Sequence, residues 1–313
     1  MKILITGATG LVGSEIVKVC KAENIQVNYL TTRKSKIQHT ENYQGFYWNP
    51  QKRNIDLKCF EGVDAVINLA GVPIAQRWTS KARKKILTSR VDALHILKEG
   101  IERLKGNHQI KSFVTASAIG IYPDSLTNLY NEAFEKVDDS FVGEVVKKWE
   151  AAANELGKFN FSLAKIRIGL VLSNKAGVLQ EYAKPIKLGI GAPFGSGEQW
   201  QSWIHINDLA ELFLFAIKHQ LSGVFNGVAP NPITNETLTK KIAEALHKPL
   251  FMPKIPKALM FTVLGNMAYV IFSSQRVSAK KIEMKNFHFR YSNVSEALKD
   301  ILQEKSQLSE KLA

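Results

Sequence analysis

Three glycines near the start of the chain restrict its fold more than any other feature. Lys2 to Thr6 is a short apolar run, and Thr6-Gly7-Ala8-Thr9-Gly10-Leu11-Val12-Gly13 follows at once. Leu11, Val12, Ile16, Val19 and Cys20 then recur at helical spacing, and Gln26 to Thr31 is a second apolar run. The spacing G-x-x-G-x-x-G thus opens a helix inside a strand–helix–strand unit. A pyrophosphate must approach such a turn closely, so side chains have to be absent there. The helix start adds free N–H groups and a partial positive charge. Gly7, Thr9, Gly10, Leu11, Val12 and Gly13 are therefore read as a dinucleotide cradle, against the plainer reading of a structural glycine turn.

The end of the second strand selects the dinucleotide. An NAD site usually carries Asp or Glu there, accepting from the ribose 2′-hydroxyl. This chain has Thr31-Thr32-Arg33-Lys34 and no acid. Thr32, Arg33 and Lys34 face a 2′-phosphate in this reading, since Arg pairs with phosphate bidentately and stacks on adenine. The expected cofactor is NADP(H) rather than NAD; the competing reading is a solvated basic loop.

Beyond the first unit, strands are expected at Tyr43 to Trp48, Asp64 to Leu69, Ser112 to Ala116 and Phe161 to Ile166. Helices are expected at Ser80 to Leu104 and Phe141 to Leu156. Continuous apolar strands alternating with helices imply an α/β fold with a Rossmann-like, doubly wound parallel sheet. After residue 170 glycines and prolines multiply and the rhythm loosens into a smaller, loop-rich C-terminal substrate lobe. Residues 1–245 are read as the cofactor-binding domain, with its substrate lobe drawn mainly from residues after 170, and 246–302 as a small C-terminal domain. The apolar stretch Ala258 to Phe272 is expected to be a packed helix. Phe287 to Tyr291 is expected to be extended, and a last helix is placed near Val294 to Leu302.

Several residues sit where the strands of such a sheet end. Leu69, Ala70 and Gly71 are small or apolar enough to let the cofactor's ribose pass. Arg90, on the following helix, either reaches the pyrophosphate or makes a surface ion pair. Ser117 is placed beside the nicotinamide, where its hydroxyl can bond a substrate carbonyl or alcohol, or merely cap the strand. Tyr122 is either a pocket wall or a proton donor. Arg167 ends a strand and is aimed at the same cleft; Trp200 and Trp203 are cleft walls or core. His205 and Asp208 are read as a helix cap rather than a metal or catalytic pair, and no metal site is expected.

Lys and Arg number 42 against 28 Asp and Glu, a net charge of +14. Between residues 240 and 290 ten Lys or Arg face only Glu244 and Glu283. These bases are scattered and no nucleic-acid motif accompanies them, so nucleic acid is not expected as a partner. Cys20 and Cys59 are far apart and lack metal-ligand spacing; Cys20, among the apolar residues of an expected helix, reads as a buried free thiol, and a reducing, cytoplasmic setting fits. The start of the chain is too short an apolar run for a signal peptide. Ala258 to Phe272 falls short of the roughly 20 residues a spanning helix needs, which leaves a peripheral membrane contact as a minor option.

Taken together, the glycine turn, Asn68-Leu69-Ala70-Gly71 with Arg77-Trp78 and Ser89-Arg90, Gly189 to Gly197, and Trp203-Ile204-His205-Ile206-Asn207-Asp208-Leu209 resemble the extended branch of the short-chain dehydrogenase/reductases. More narrowly, they resemble an atypical NAD-dependent epimerase/dehydratase family, some of whose bacterial members are labelled cell division inhibitors. Gln275-Arg276-Val277 and Phe287-His288-Phe289 resemble that family's C-terminal domain of unknown function. The resemblance implies a Tyr-x-x-x-Lys pair on the helix after the fifth strand, where the Tyr is the acid/base. Here that helix reads Phe141-Val142-Gly143-Glu144-Val145-Val146-Lys147-Lys148-Trp149-Glu150. Aligned on Glu150, the two places hold Val142 and Val146; a one-residue shift would offer Lys147. The expectation is an NADP(H)-binding oxidoreductase or epimerase with an atypical acid/base. Its substrate would be small and polar, a sugar- or nucleotide-linked molecule by superfamily analogy. The alternative is an NADP(H)-binding sensor with little or no turnover.

Overall fold

Lys2–Thr6 forms β1, in which Ile3, Leu4 and Ile5 are all buried, as a strand covered on both faces by helices requires. The computed structural model describes residues 1–310, with side chains as far as Leu302. Six further strands join β1: β2 (Gln26–Thr31), β3 (Tyr43–Asn49), β4 (Ala65–Asn68), β5 (Ser112–Ala118), β6 (Ser162–Ile168) and β7 (Gly223–Gly227). Their order is β7-β6-β5-β4-β1-β2-β3, and the short strands His39–Thr40 and Asn54–Ile55 pair with β3. β1 is parallel to β2 and β4, β2 to β3, and β4 to β5. The winding reverses between β1 and β4. In a doubly wound sheet that switch point, beyond the carboxyl ends of the strands, is where ligands bind.

The helices follow from local signals. α1 (Leu11–Ala22) buries Gly13, Ile16, Val17 and Cys20 on one face and stops where Asn24 turns left-handed with φ 55°. α2 (Ser80–Arg103) starts at Thr79, whose hydroxyl accepts the Ala82 N–H at 3.2 Å, the usual work of an N-cap. α3 (Phe141–Asn154) precedes β6, and α5 (Ile206–Lys218) precedes β7.

The chain forms two units. The first comprises Met1–Ala118, Glu144–Arg167 and Ala210–Phe225 and holds the body of the sheet. The second comprises Ile119–Gly143, Ile168–Leu209 and the chain from Asn226 onward. Its own core joins α4 (Val178–Lys187), α6 (Asn235–Ala245) and the closing helix Val294–Glu310 around Leu179, Tyr182, Trp203, Leu238, Ile242 and Leu298.

Three expectations for this second unit need correction. The loop-rich region contains α4, whose Leu179, Tyr182, Ala183 and Ile186 are buried at helical spacing; Pro185 and the flanking glycines hid that pattern. Ala258 to Phe272 is not one packed helix. Gly265, with φ +59°, separates α7 (Lys257–Leu264) from α8 (Ala268–Phe272), and no residue of α7 is buried. Asp208 is not a helix cap. Its two carboxylate oxygens accept the N–H groups of Arg290 and Tyr291, each at 3.0 Å, and so tie down the segment before the closing helix. His205 does act locally, its Nδ1 accepting the Asn207 N–H at 3.1 Å.

Candidate functional site

β1 ends at Thr6, and Gly7 turns the chain with φ +72°, a conformation that favours glycine. The Gly10 N–H donates to Gly7 O at 2.9 Å and closes the turn. A Cβ on Gly13 would lie 2.2 Å from Gly7 O and 2.7 Å from Ala8 Cα, so only glycine lets α1 sit against its own turn. Gly10 stands at the N-cap of α1 without a side-chain cap, and the first turn contains no acid. The leading N–H groups, those of Leu11 and Val12 among them, have no partner within a helix. Their dipoles therefore favour an anion.

A buried polar row braces this turn. The register sets Thr6 beside Asn68 and Asn68 beside Thr115. Thr6 Oγ1 donates to Asn68 Oδ1 at 2.7 Å and accepts the N–H groups of Leu69 and Ala70 at 3.0 and 3.1 Å. Asn68 Nδ2 donates to Thr115 Oγ1 at 3.0 Å. Leu69, Ala70 and Gly71 are thereby pinned beside Gly7. Sequence reasoning passed over Thr6 and Thr115 as site residues, although each is a polar residue at or near the end of an apolar strand.

Thr32, Arg33 and Lys34 are exposed at the end of β2, one strand from the turn that opens α1. The Arg33 N–H donates to Thr31 Oγ1 at 3.2 Å. The Lys34 ammonium lies 5.4 Å from the centre of the Tyr47 ring on β3. Neither cation pairs with a carboxylate among the described residues.

Arg90 is not in a surface ion pair. Its guanidinium lies 5.1 Å over the Trp149 ring and donates to Ile86 O at 2.8 Å. It also borders Gly71, where a Cβ would stand 3.2 Å from Arg90 Cζ. Burial lowers its pKa to about 10, and no carboxylate among the described residues neutralises it. Its neighbour Ser89 accepts the Val72 N–H at 3.1 Å, which steadies the loop after Gly71.

Ser117, Glu150 and Arg167 form a buried cluster. Arg167 grips Glu150 with two bonds, Nε to Oε1 at 2.8 Å and Nη2 to Oε2 at 2.9 Å. Ser117 Oγ donates to Glu150 Oε1 at 2.6 Å. Burial raises the Glu150 pKa, but Arg167 and Ser117 outweigh it and hold the carboxyl below the usual range. Arg167 is therefore an internal counterion rather than a free cleft residue. A serine whose proton is committed presents only oxygen lone pairs, which suit an alcohol and not a carbonyl.

The chain is 36% identical over 302 residues to Epimerase family protein SA0724 of Staphylococcus aureus (strain N315), covering 96% of this chain and 99% of that relative. It belongs to the NAD-dependent epimerase/dehydratase family. That family's pattern matches residues 3–139 of this epimerase-family protein, and a domain of unknown function, DUF1731, matches residues 255–301. The human epimerase family protein SDR39U1 (isoform 2), solved with NADPH, superposes with a TM-score of 0.85 at 28% identity, covering 97% of this chain and 99% of that one. The UDP-glucose 4-epimerase of Thermus thermophilus, solved with NAD, shares the fold at a TM-score of 0.78 and 17% identity, covering 97% and 98%.

In this epimerase-family protein α3 buries Val146 and exposes Lys147. Val142 packs on Gly120, where a Cβ would meet its Cγ1 at 2.4 Å. Tyr122 is 0% exposed; its hydroxyl donates to Asn226 Oδ1 at 2.8 Å and its ring stacks on Tyr130. That is the setting of a core residue. Trp203 is core as well, its Nε1 donating to Asn231 O at 2.9 Å. Trp200 is half-buried and carries the Arg276 guanidinium 4.5 Å over its ring.

Proposed function

We propose that this protein binds NADP(H) at the α1 turn and acts as an oxidoreductase or epimerase on a small polar substrate. One observation carries the reading: an uncapped, acid-free helix start stands one strand away from Arg33 and Lys34, which no carboxylate among the described residues neutralises. The N–H groups of Leu11 and Val12 take the pyrophosphate, and Arg33 and Lys34 take the 2′-phosphate. Leu69, Ala70 and Gly71 wall the ribose. Arg90, a desolvated cation with no counterion among the described residues, gains one when a phosphate arrives. The NADPH in the human relative supports this choice. When bound, the cofactor supplies or accepts a hydride.

The acid/base is atypical in this proposal, because Val142 and Val146 stand in the places of the Tyr and Lys. Ser117, held by Glu150, positions a substrate hydroxyl by accepting its proton in a hydrogen bond. A second reading is a binding module that holds NADP(H) with little turnover. It is favoured by the commitment of both candidate hydroxyls, Ser117 and Tyr122, to buried internal bonds.

Two measurements test these readings. Fluorescence titration is expected to show tighter binding of NADPH than of NADH. Arg33→Ala is expected to weaken NADPH by roughly 10–100-fold, the worth of a charged hydrogen-bonded contact, and to leave NADH nearly unchanged. Equal affinities, or a preference that survives Arg33→Ala, would remove NADP(H) selectivity from this site. In a screen of alcohol substrates, NADP+ reduction is expected to fall about tenfold or more in Ser117→Ala. Turnover indifferent to that change excludes Ser117, and tight NADPH binding without turnover on any substrate favours the binding module.

A further inference from the structure

Seven of the twelve most exposed large apolar side chains among the described residues lie in one region of the second unit. Leu188 (76% exposed) and Ile190 follow α4. Phe251 (69%) and Met252 precede α7. Leu259 and Val263 (66%) stand on α7 itself, one turn apart on the same face, and Val270 stands on α8. Isolated exposed apolar residues are ordinary, but a cluster of them marks an interaction surface.

The segments that carry them touch one another. Phe194 and Ile255 form a bridge, and the Gly195 N–H donates to Ile255 O at 2.9 Å. A Cβ on Gly189 would lie 3.8 Å from the Phe251 ring, and one on Gly195 would lie 2.9 Å from the Phe272 ring. Phe261 stacks on Phe272 at 6.0 Å, and the Lys257 ammonium lies within 6 Å of both rings, at 5.9 and 5.6 Å. The loop after α4, the segment around Phe251 and the α7–α8 pair therefore make one surface.

Along residues 245–282 its charge has one sign. Residues 245–282 contain Lys248, Lys254, Lys257, Arg276, Lys280 and Lys281 and not a single Asp or Glu. Lys254 is neutralised by Glu236 at 2.8 Å. Lys187, Lys248 and Lys257 pair with no carboxylate among the described residues.

From this we infer that α7, α8 and the Phe251 segment dock on an anionic lipid bilayer surface. A second copy across a two-fold axis would face the same lysines with lysines, at an electrostatic penalty. A nucleic acid would satisfy the cations and leave Leu259 and Val263 bare. An anionic bilayer answers both features: lipid phosphates meet the lysines, and the apolar side chains enter the headgroup boundary. No helix among the described residues is long and apolar enough to cross a membrane, so the contact lies on the surface.

Co-sedimentation of the full chain with vesicles tests this, comparing phosphatidylcholine alone with an equal mixture of phosphatidylcholine and phosphatidylglycerol. Binding is expected only to the mixture, and to weaken in 0.5 M NaCl. Lys248→Ala and Lys257→Ala are each expected to weaken it about fivefold. The double variant Leu259→Asp/Val263→Asp is expected to abolish it while melting within a few degrees of the parent, because neither side chain is buried. Absence of binding to the anionic vesicles, or full binding by the Asp variant, overturns the inference. So does a dimer in solution that the Asp variant turns into a monomer, which would assign the surface to a second copy.

Discussion

Arg167→Met is expected to destabilise the protein by about 3–5 kcal/mol at neutral pH, the cost of leaving one member of a buried ion pair uncompensated. The side chains of Arg167 and Glu150 are only 8% and 10% exposed, so solvent screens them little. Urea melts across pH should reveal the cause. In the parent protein the Glu150 pKa is held below its unfolded value, so its contribution is present above about pH 4.3 and disappears as pH falls through the folded value. In Arg167→Met burial acts unopposed and raises the folded pKa. The deficit is then full at high pH and shrinks as pH falls and the carboxyl takes up a proton. The double variant Arg167→Met/Glu150→Leu is expected to recover most of the loss, because the buried charge is gone. A deficit in the single variant that is the same at pH 5 and pH 8 would show that lost packing, not the stranded carboxylate, is responsible.

Gly13→Ala should be damaging too, though less so, against the trend that alanine favours helices. The intrinsic gain is roughly 1 kcal/mol. Opposing it, the new methyl group would lie 2.2 Å from Gly7 O, and backbone cannot swing away as a flexible side chain can. Overpacking of this kind costs about 1–3 kcal/mol, occasionally more, and against backbone it lies at the upper end, so the clash is expected to win by up to about 2 kcal/mol. Because the methyl displaces the turn that presents the first N–H groups of α1, NADPH affinity should fall by about tenfold or more. Gly157→Ala is the control: an added Cβ there meets nothing within 4 Å, and stability should change by less than about 0.5 kcal/mol. If Gly13→Ala melts and binds like that control, the cradle is not held by this contact.

Much of the first unit was legible because its signals are local. The glycine spacing, the strand-end cations Arg33 and Lys34 and the unbroken apolar strands each speak within a few residues. They were enough for the α/β class and the sheet. The second unit was harder to read. α4 carries a proline, Gly265 breaks what looked like one helix, and Asp208 serves N–H groups 82 and 83 residues away.

By itself the sequence determined where a glycine turn opens a helix at the end of β1, because a missing Cβ and a helix start are properties of neighbouring residues. Tertiary structure alone decided how the side chains around that place are used. It joined Ser117 to Glu150 and Arg167 across three elements, buried Tyr122 against Asn226, and left Arg90 over Trp149 with no carboxylate partner among the described residues. It also turned the apolar faces of α7 and α8 outward. Hydrogen bonds and ion pairs between residues far apart in the chain depend on which strands and helices become neighbours, and spacing along one segment carries no record of that.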